Sequence, residues 1–219
     1  MQESHPRLQA PTRDASAKTN AVDEKGTTMT SETTTQPRYR NGINIDQLYG
    51  TLDAIKGQPS LATFQFRATN RWLGGAHNRS TIYDFYGAGQ EDRSRAEPFT
   101  EDAGEPAVLL GTDTGPNPAE FLLHALAACL TTSIVCVAAA RGVELESVES
   151  TLAGDMDVRG ALSIDDSVRN GFERIGVTFK IKANAPEEKI REVVERAKAR
   201  SVVFDSVTRG VPIALDVAE

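Results

Sequence analysis

The sequence predicts an α+β fold, with antiparallel strands segregated around helices. Three observations predict it. Several short segments alternate apolar and polar residues, as half-buried strands do. One long stretch, Pro118 to Arg141, is apolar on nearly every side. The order is strands, long helix, strands, helix, strand, whereas a doubly wound sheet would alternate its strands with helices. No internal repeat breaks that order. A chain of 219 residues, 39% hydrophobic and 25% charged, suits one globular domain with a disordered appendage.

The elements follow in chain order. Residues 1–40 are rich in Ser, Thr, Asp, Glu, Gln and Pro and nearly free of large apolar side chains. Such a segment buries too little surface to offset the entropy of ordering, so a disordered leader is expected there. Met29 offers a second start. Residues 41–60 contain "INIDQLYGTLDAIKG", whose Ile45, Leu48, Leu52 and Ile55 recur at helical spacing and predict a short amphipathic helix. "ATFQFRATNRW" puts Phe64, Phe66 and Ala68 on one face of a strand. Gly74-Gly75 marks a turn, and Ser80 to Tyr86 supplies the second strand of a hairpin. Residues 88–106 read as a polar loop, and Ala107 to Leu110 as a short strand.

Then comes "GTDTGPNPAE". Asn117 fits an N-cap, Pro118 the first helical position and Glu120 the third, so cap and acid satisfy each other's free N–H groups. The helix runs to about Arg141, with Gly142 as its stop. Roughly 24 residues at ~1.5 Å each make a rod of about 36 Å, apolar nearly all round and therefore expected to lie in the centre of something. "VESTLAGDMDVRG" and "IGVTFKIKA" are strands, the second with Val177, Phe179 and Ile181 inward. "APEEKIREVVERAKAR" is an amphipathic helix with Pro186 and acids at its start, and "VPIALDVA" is a closing strand.

Composition narrows the function. A net charge of -7 argues against a general nucleic-acid binder. No run of about 18 residues is free of polar groups: Phe121 to Ala140 includes His124, Thr131, Thr132 and Ser133. A buried soluble helix is expected there, and no membrane partner. No basic segment precedes an apolar core at the N-terminus, which predicts a cytoplasmic, reducing setting.

Both cysteines of the chain lie on the long helix, at Cys129 and Cys136. Seven residues apart, they share a face about 10 Å apart along the axis, too far for a disulfide within one helix. A metal site is poorly supported, because His124 lies about 140° round the helix from Cys129. Two readings stay open. Both thiols are buried packing atoms, or Cys129, beside the hydroxyls of Thr131, Thr132 and Ser133, is a working thiolate. Cys136, among Val135, Val137 and Ala138, fits the first.

"NPAEFLLHALAACLTTSIVCVAAARGVELESVES", "NRWLGGAHNRSTIYDFYGAG" and "SVVFDSVTRGVPI" resemble the OsmC/Ohr family of osmotically inducible and organic hydroperoxide resistance proteins. The resemblance runs from about Ala62 to the C-terminus, so residues 61–219 are expected to form the OsmC-like domain. It implies an α+β fold of antiparallel sheets wrapped around long central helices, in an intertwined homodimer with a site near the interface. The implied chemistry is thiol peroxidation. A cysteine reduces a hydroperoxide and becomes a sulfenic acid, a second cysteine condenses with it, and thiols or a lipoylated protein regenerate both. It calls for no cofactor and no nucleic-acid partner.

Carried over by residue, the resemblance gives Cys129 the reactive position. The second cysteine's place is Ser201, which cannot form a disulfide. The assisting glutamate's place is Ala119, with Glu120 one residue on. The assisting arginine is Arg79, just past the Gly74-Gly75 turn, with Arg71 as the alternative. His77 and His124 are candidate polar lining, and Cys136 of a second subunit is a candidate resolving thiol. The sequence thus leaves two functions: a one-cysteine peroxidase acting on organic hydroperoxides or hydrogen peroxide, or a non-catalytic dimer binding a small apolar ligand.

Overall fold

The computed structural model describes residues 36–218. The expected leader, with Met29, falls mostly outside them. Its last residues are ordered: Arg38 Nε and Nη2 both donate to Asp46 Oδ1, and the Arg38 N–H donates to Oδ2. β1 (Tyr39–Arg40) pairs with β2 (Ile43–Asn44), and α1 (Ile45–Gly57) starts at an Asn44 cap whose side chain accepts from the Gln47 N–H.

The expected first hairpin is a richer structure. β3 (Gln65–Phe66) and β4 (Thr69–Gly74) enter different sheets, and so do β5 (His77–Ile82) and β6 (Phe85–Gly87). The 88–106 segment, read as loop, holds β7 (Gln90–Asp92) and β8 (Phe99–Ala103). The antiparallel orders are β3-β6-β7 and β4-β5-β8. The β4–β5 turn is at Gly74-Gly75, where both φ values are positive and suit glycine. Ala107–Leu109 is a 3₁₀ turn rather than a strand. It follows Pro106, and Leu110 leaves it in a left-handed conformation that an extended strand does not allow.

α2 (Pro118–Ala140) has the expected capping box: Asn117 Oδ1 accepts from the Glu120 N–H, and Glu120 Oε2 accepts from the Asn117 N–H, both at 2.8 Å. It ends at Gly142, φ +74°, with Val143 N–H donating to Ala138 and Gly142 N–H to Ala139. β9 (Leu145–Asp155) and β10 (Arg174–Ala183) form a long antiparallel hairpin, separated by the short α3 (Val158–Ala161). β9 stops at Asp155, so the last residues of the segment read as a strand, Met156 to Gly160, lie beyond it. α4 (Glu187–Lys198) follows, and then α5 (Val202–Arg209), which sequence reading missed.

The core lies where α2, the β9–β10 hairpin and α4 meet. Ile134, Ala138, Val143, Val193 and Ala197 are buried together, backed by Val148, Phe179 and Ile181. The same α2 is long and apolar enough to cross a membrane, yet 22% of its most apolar window is buried within the chain. Most of its remaining apolar surface is only partly covered by this chain's described residues. The closing segment shares that property. No described strand pairs with residues 211–218, and Ile213, Leu215 and Val217 are each more than 80% exposed. The alternation that predicted a strand is present, but no described strand takes it as a partner.

Asn41 ties the N-terminal hairpin to this core. Its Nδ2 donates to the Val143 carbonyl and its Oδ1 accepts from the Leu145 N–H, both at 2.9 Å. Arg40 Nη1 donates to the Ala139 carbonyl at the end of α2, where a cation also suits the helix dipole. Asn41→Ala is expected to cost about 2 kcal/mol, near 1 per lost bond, read by urea unfolding. A loss under about 0.5 kcal/mol would show that the hairpin contributes nothing to the core.

Candidate active site around Cys129

Cys129 sits midway along α2, and α5 starts against it. Ser201, the N-cap of α5 and 1% exposed, donates its hydroxyl to Cys129 Sγ at 3.1 Å. The same Ser201 Oγ accepts from the Phe204 N–H at 3.2 Å, which fixes the hydroxyl between helix and thiol. Burial pushes the Cys129 thiol up. The Ser201 hydroxyl, the Val203 and Val202 N–H groups and the Ser133 hydroxyl together pull it further down, so its pKa lies below the usual thiol value. The physical cause is a ring of hydrogen-bond donors at a helix N-terminus, which favours the anion. α5 therefore turns a cysteine in an apolar helix into a thiol with anion-stabilising partners.

Cys129 opens on a cavity of ≈ 570 Å³ lined also by Thr132, Ser133, Cys136, Arg200 and Val202. Both cysteines are free and half-buried. Arg200 is the cation of this cavity in the chain, and sequence reasoning missed it because no periodicity marks it. Ser201 was found by position, but its contact was not. The signal for α5 was present in "SVVFDSVTRG": a Ser cap, apolar Val203, Phe204 and Val207 at helical spacing, and a Gly stop. A second cleft, ≈ 660 Å³, lies nearer the N-terminal end of α2. It is lined by Leu122, Leu126, Met156, Phe172, Phe204 and other residues, with Arg169 and Arg174 among them.

The other candidate residues lie elsewhere in the chain. Glu120 closes the capping box and lines a different cleft with Ile82, Phe99, Glu101, Phe121 and His124. Arg79 Nε and Nη2 donate to Asp102 Oδ1 and Oδ2 at 2.6 and 2.8 Å. The Arg79 guanidinium holds the Asp102 carboxyl down to about 2, with His77, 3.4 Å away, adding to the shift. Strand alternation puts Ile82 and Glu101 on the sheet face toward α2, and Arg79 and Asp102 on the face turned away. Arg71 stands opposite Arg79 on β4. Neither Arg79, Arg71 nor Glu120 lines the Cys129 cavity within the chain. Among the described residues no cluster of three His, Cys, Asp or Glu side chains suits a metal ion.

No curated protein matches the chain. An OsmC like protein from Mycoplasma pneumoniae is similar at 16% identity and a TM-score of 0.50, over 67% of this chain and 89% of that one. An organic hydroperoxide resistance protein OsmC from Legionella pneumophila is 19% identical, covering 68% of this chain and 92% of that one, with a TM-score of 0.46. The Mycoplasma likeness shows the α+β OsmC-like fold. The family model of the OsmC-like protein matches residues 111–216, from the approach to α2 through α5 and into the closing segment. Residues 111–216 of this chain thus form an OsmC-like domain.

Proposed function

We propose that the protein is a thiol-dependent peroxidase that works through the single reactive cysteine Cys129. The observation that carries the reading is the set of donors on its sulfur, Ser201 Oγ–H foremost. A thiolate held there attacks the outer oxygen of an organic hydroperoxide or hydrogen peroxide. The S–O bond forms as the O–O bond breaks, and the departing alkoxide or hydroxide takes up a proton to leave as alcohol or water. Cys129 ends as a sulfenic acid. Ser201 has no thiol to condense with it, so an external thiol, or the dithiol of a lipoylated protein, attacks the sulfenic sulfur and releases water. A second thiol then frees Cys129 and leaves the reductant as disulfide.

The working form proposed is a homodimer. The uncovered apolar face of α2 and the unpaired closing segment both support a second copy as their cover. Arg79 faces away from its own α2, so the peroxide-orienting role it is proposed to have serves Cys129 of that second copy. The competing reading, a non-catalytic dimer holding an apolar ligand, is favoured by the ≈ 660 Å³ cleft beside α2.

The test mixes reduced protein with one equivalent of cumene hydroperoxide and a sulfenic-acid trap, followed by intact mass, with Cys129→Ser as blank. Trapping within seconds, lost in the variant, is the expected result, with a native mass twice that of one chain by light scattering. No trapping over many minutes sinks the peroxidase and leaves the apolar-ligand reading.

A further inference from the structure

We propose that Asp102, not Glu120, is the carboxylate that orients Arg79 for the peroxide reaction, with His77 as the third member of the cluster. The proposal rests on the peroxidase reading above and deepens it. Glu120 has another role: its carboxylate accepts from the Asn117 N–H and closes the start of α2. Asp102 is placed for Arg79 by the sheet itself. Arg79 on β5 and Asp102 on β8 are direct cross-strand partners, so their side chains leave the same face side by side. The fork is two-pronged, through Nε and Nη2, and this fixes the plane of the guanidinium as well as its position.

The donor count shows what is left for a ligand. A guanidinium has five N–H groups. Asp102 takes one on Nε and one on Nη2, which leaves three. Among the described residues none of these three meets an acceptor, and the Arg79 side chain is 45% exposed. His77 Nε2 lies 3.4 Å from the same carboxylate. On the other flank, Arg71 is paired with Arg79 in the β4–β5 register. Like charges directly opposite destabilise a sheet, so Asp102 also offsets that repulsion. The result is a guanidinium held in one plane, with spare donors, on the sheet face that its own helix does not cover. That is a preorganised support for the oxygens of a peroxide as the O–O bond breaks. Asp102 is a positioning residue: it acts through Arg79.

The test measures the rate of Cys129 oxidation by cumene hydroperoxide under stopped flow in six proteins: wild type, Asp102→Asn, Asp102→Glu, Glu120→Gln, Arg79→Lys and the Asp102→Asn/Arg79→Lys double variant. Alkylation of Cys129 by iodoacetamide against pH is the control, because the donors on its sulfur come from α5 and Ser133 rather than from Arg79. Asp102→Asn is expected to slow oxidation about 100-fold, the size expected when a reacting group is displaced by about 1 Å. The alkylation profile should stay where it was. Asp102→Glu should restore much of the rate, Glu120→Gln should stay within a few-fold of wild type, and Asp102→Asn should add nothing in an Arg79→Lys background. An Asp102→Asn protein as fast as wild type overturns the proposal. So does a Glu120→Gln protein as slow as Arg79→Lys, or an Asp102→Asn loss that alkylation shares. A wild type inert to hydroperoxide is a different failure: it removes the peroxidase reading itself.

Discussion

Ser201→Cys is expected to turn peroxide oxidation of Cys129 into an intrachain disulfide. Ser201 Oγ already lies 3.1 Å from Cys129 Sγ, and Ser201 is 1% exposed, so a thiol at that place meets the sulfenic sulfur before any external thiol does. The introduced thiol attacks, the S–S bond forms, and the sulfenic oxygen leaves as water. After one equivalent of hydroperoxide, the variant should lose two hydrogens in mass and give no adduct with a sulfenic-acid trap. Cys136 should still alkylate. A trapped sulfenic acid that persists in the variant would mean that α5 does not hold residue 201 against Cys129 in solution.

The alanine variant isolates the donor. Ser201→Ala removes the leading hydrogen bond to the thiol, so the Cys129 pKa should rise from its lowered position and alkylation at neutral pH should slow. The sign follows from the acid: a lowered thiol pKa means more thiolate at a given pH, and reactivity falls as pH drops through it. The linked stability term has the same sense, present above the unfolded thiol's pKa and lost as pH falls through the folded one. Ser201→Ala also removes the α5 cap, at about 1 kcal/mol. An alkylation profile that does not move would assign the lowered pKa to the α5 backbone and the Ser133 hydroxyl.

Ile134→Ala should be the most destabilising single truncation on α2. Ile134 is 1% exposed and packs with Val143, Val193 and Ala197 at the crossing of α2, α4 and the β9–β10 hairpin. Removing those methyl groups loses their transfer free energy and leaves a cavity, about 2–5 kcal/mol together. Against a typical ~5–15 kcal/mol of total stability, that is a large share, and the urea midpoint should fall accordingly. Cys136→Ala, half-buried on the same helix, should cost far less. Equal losses at the two positions would mean that the uncovered face of α2 is packed as tightly as the covered one.

How much was legible differs from element to element. α2 was legible to within a residue at each end, because its cap, its first-turn proline and acid, and its stop glycine are all within a few positions of the helix ends. β10 was legible because a two-residue period is local. The segment 88–106 was not: its strands are short and polar, and β8 is a strand because β5 lies beside it. The closing segment failed in the opposite direction, having a strand's alternation with no described strand paired to it.

The candidate site divides the same way. The sequence alone determined the α+β class, the long apolar helix, the place of Cys129 on it and the absence of a thiol at Ser201. Only the tertiary structure decided that Ser201 and the start of α5, some 72 positions away, lie on the sulfur. It also decided that Arg79 belongs to Asp102, 23 positions away across a sheet, and that Glu120 is a cap. The reason is one of range. Caps, turns and periods are fixed by neighbours in the chain, whose geometry the backbone imposes. A reactive site depends on distances between elements, which are set only when the apolar faces of α2, the β9–β10 hairpin and α4 close on one another.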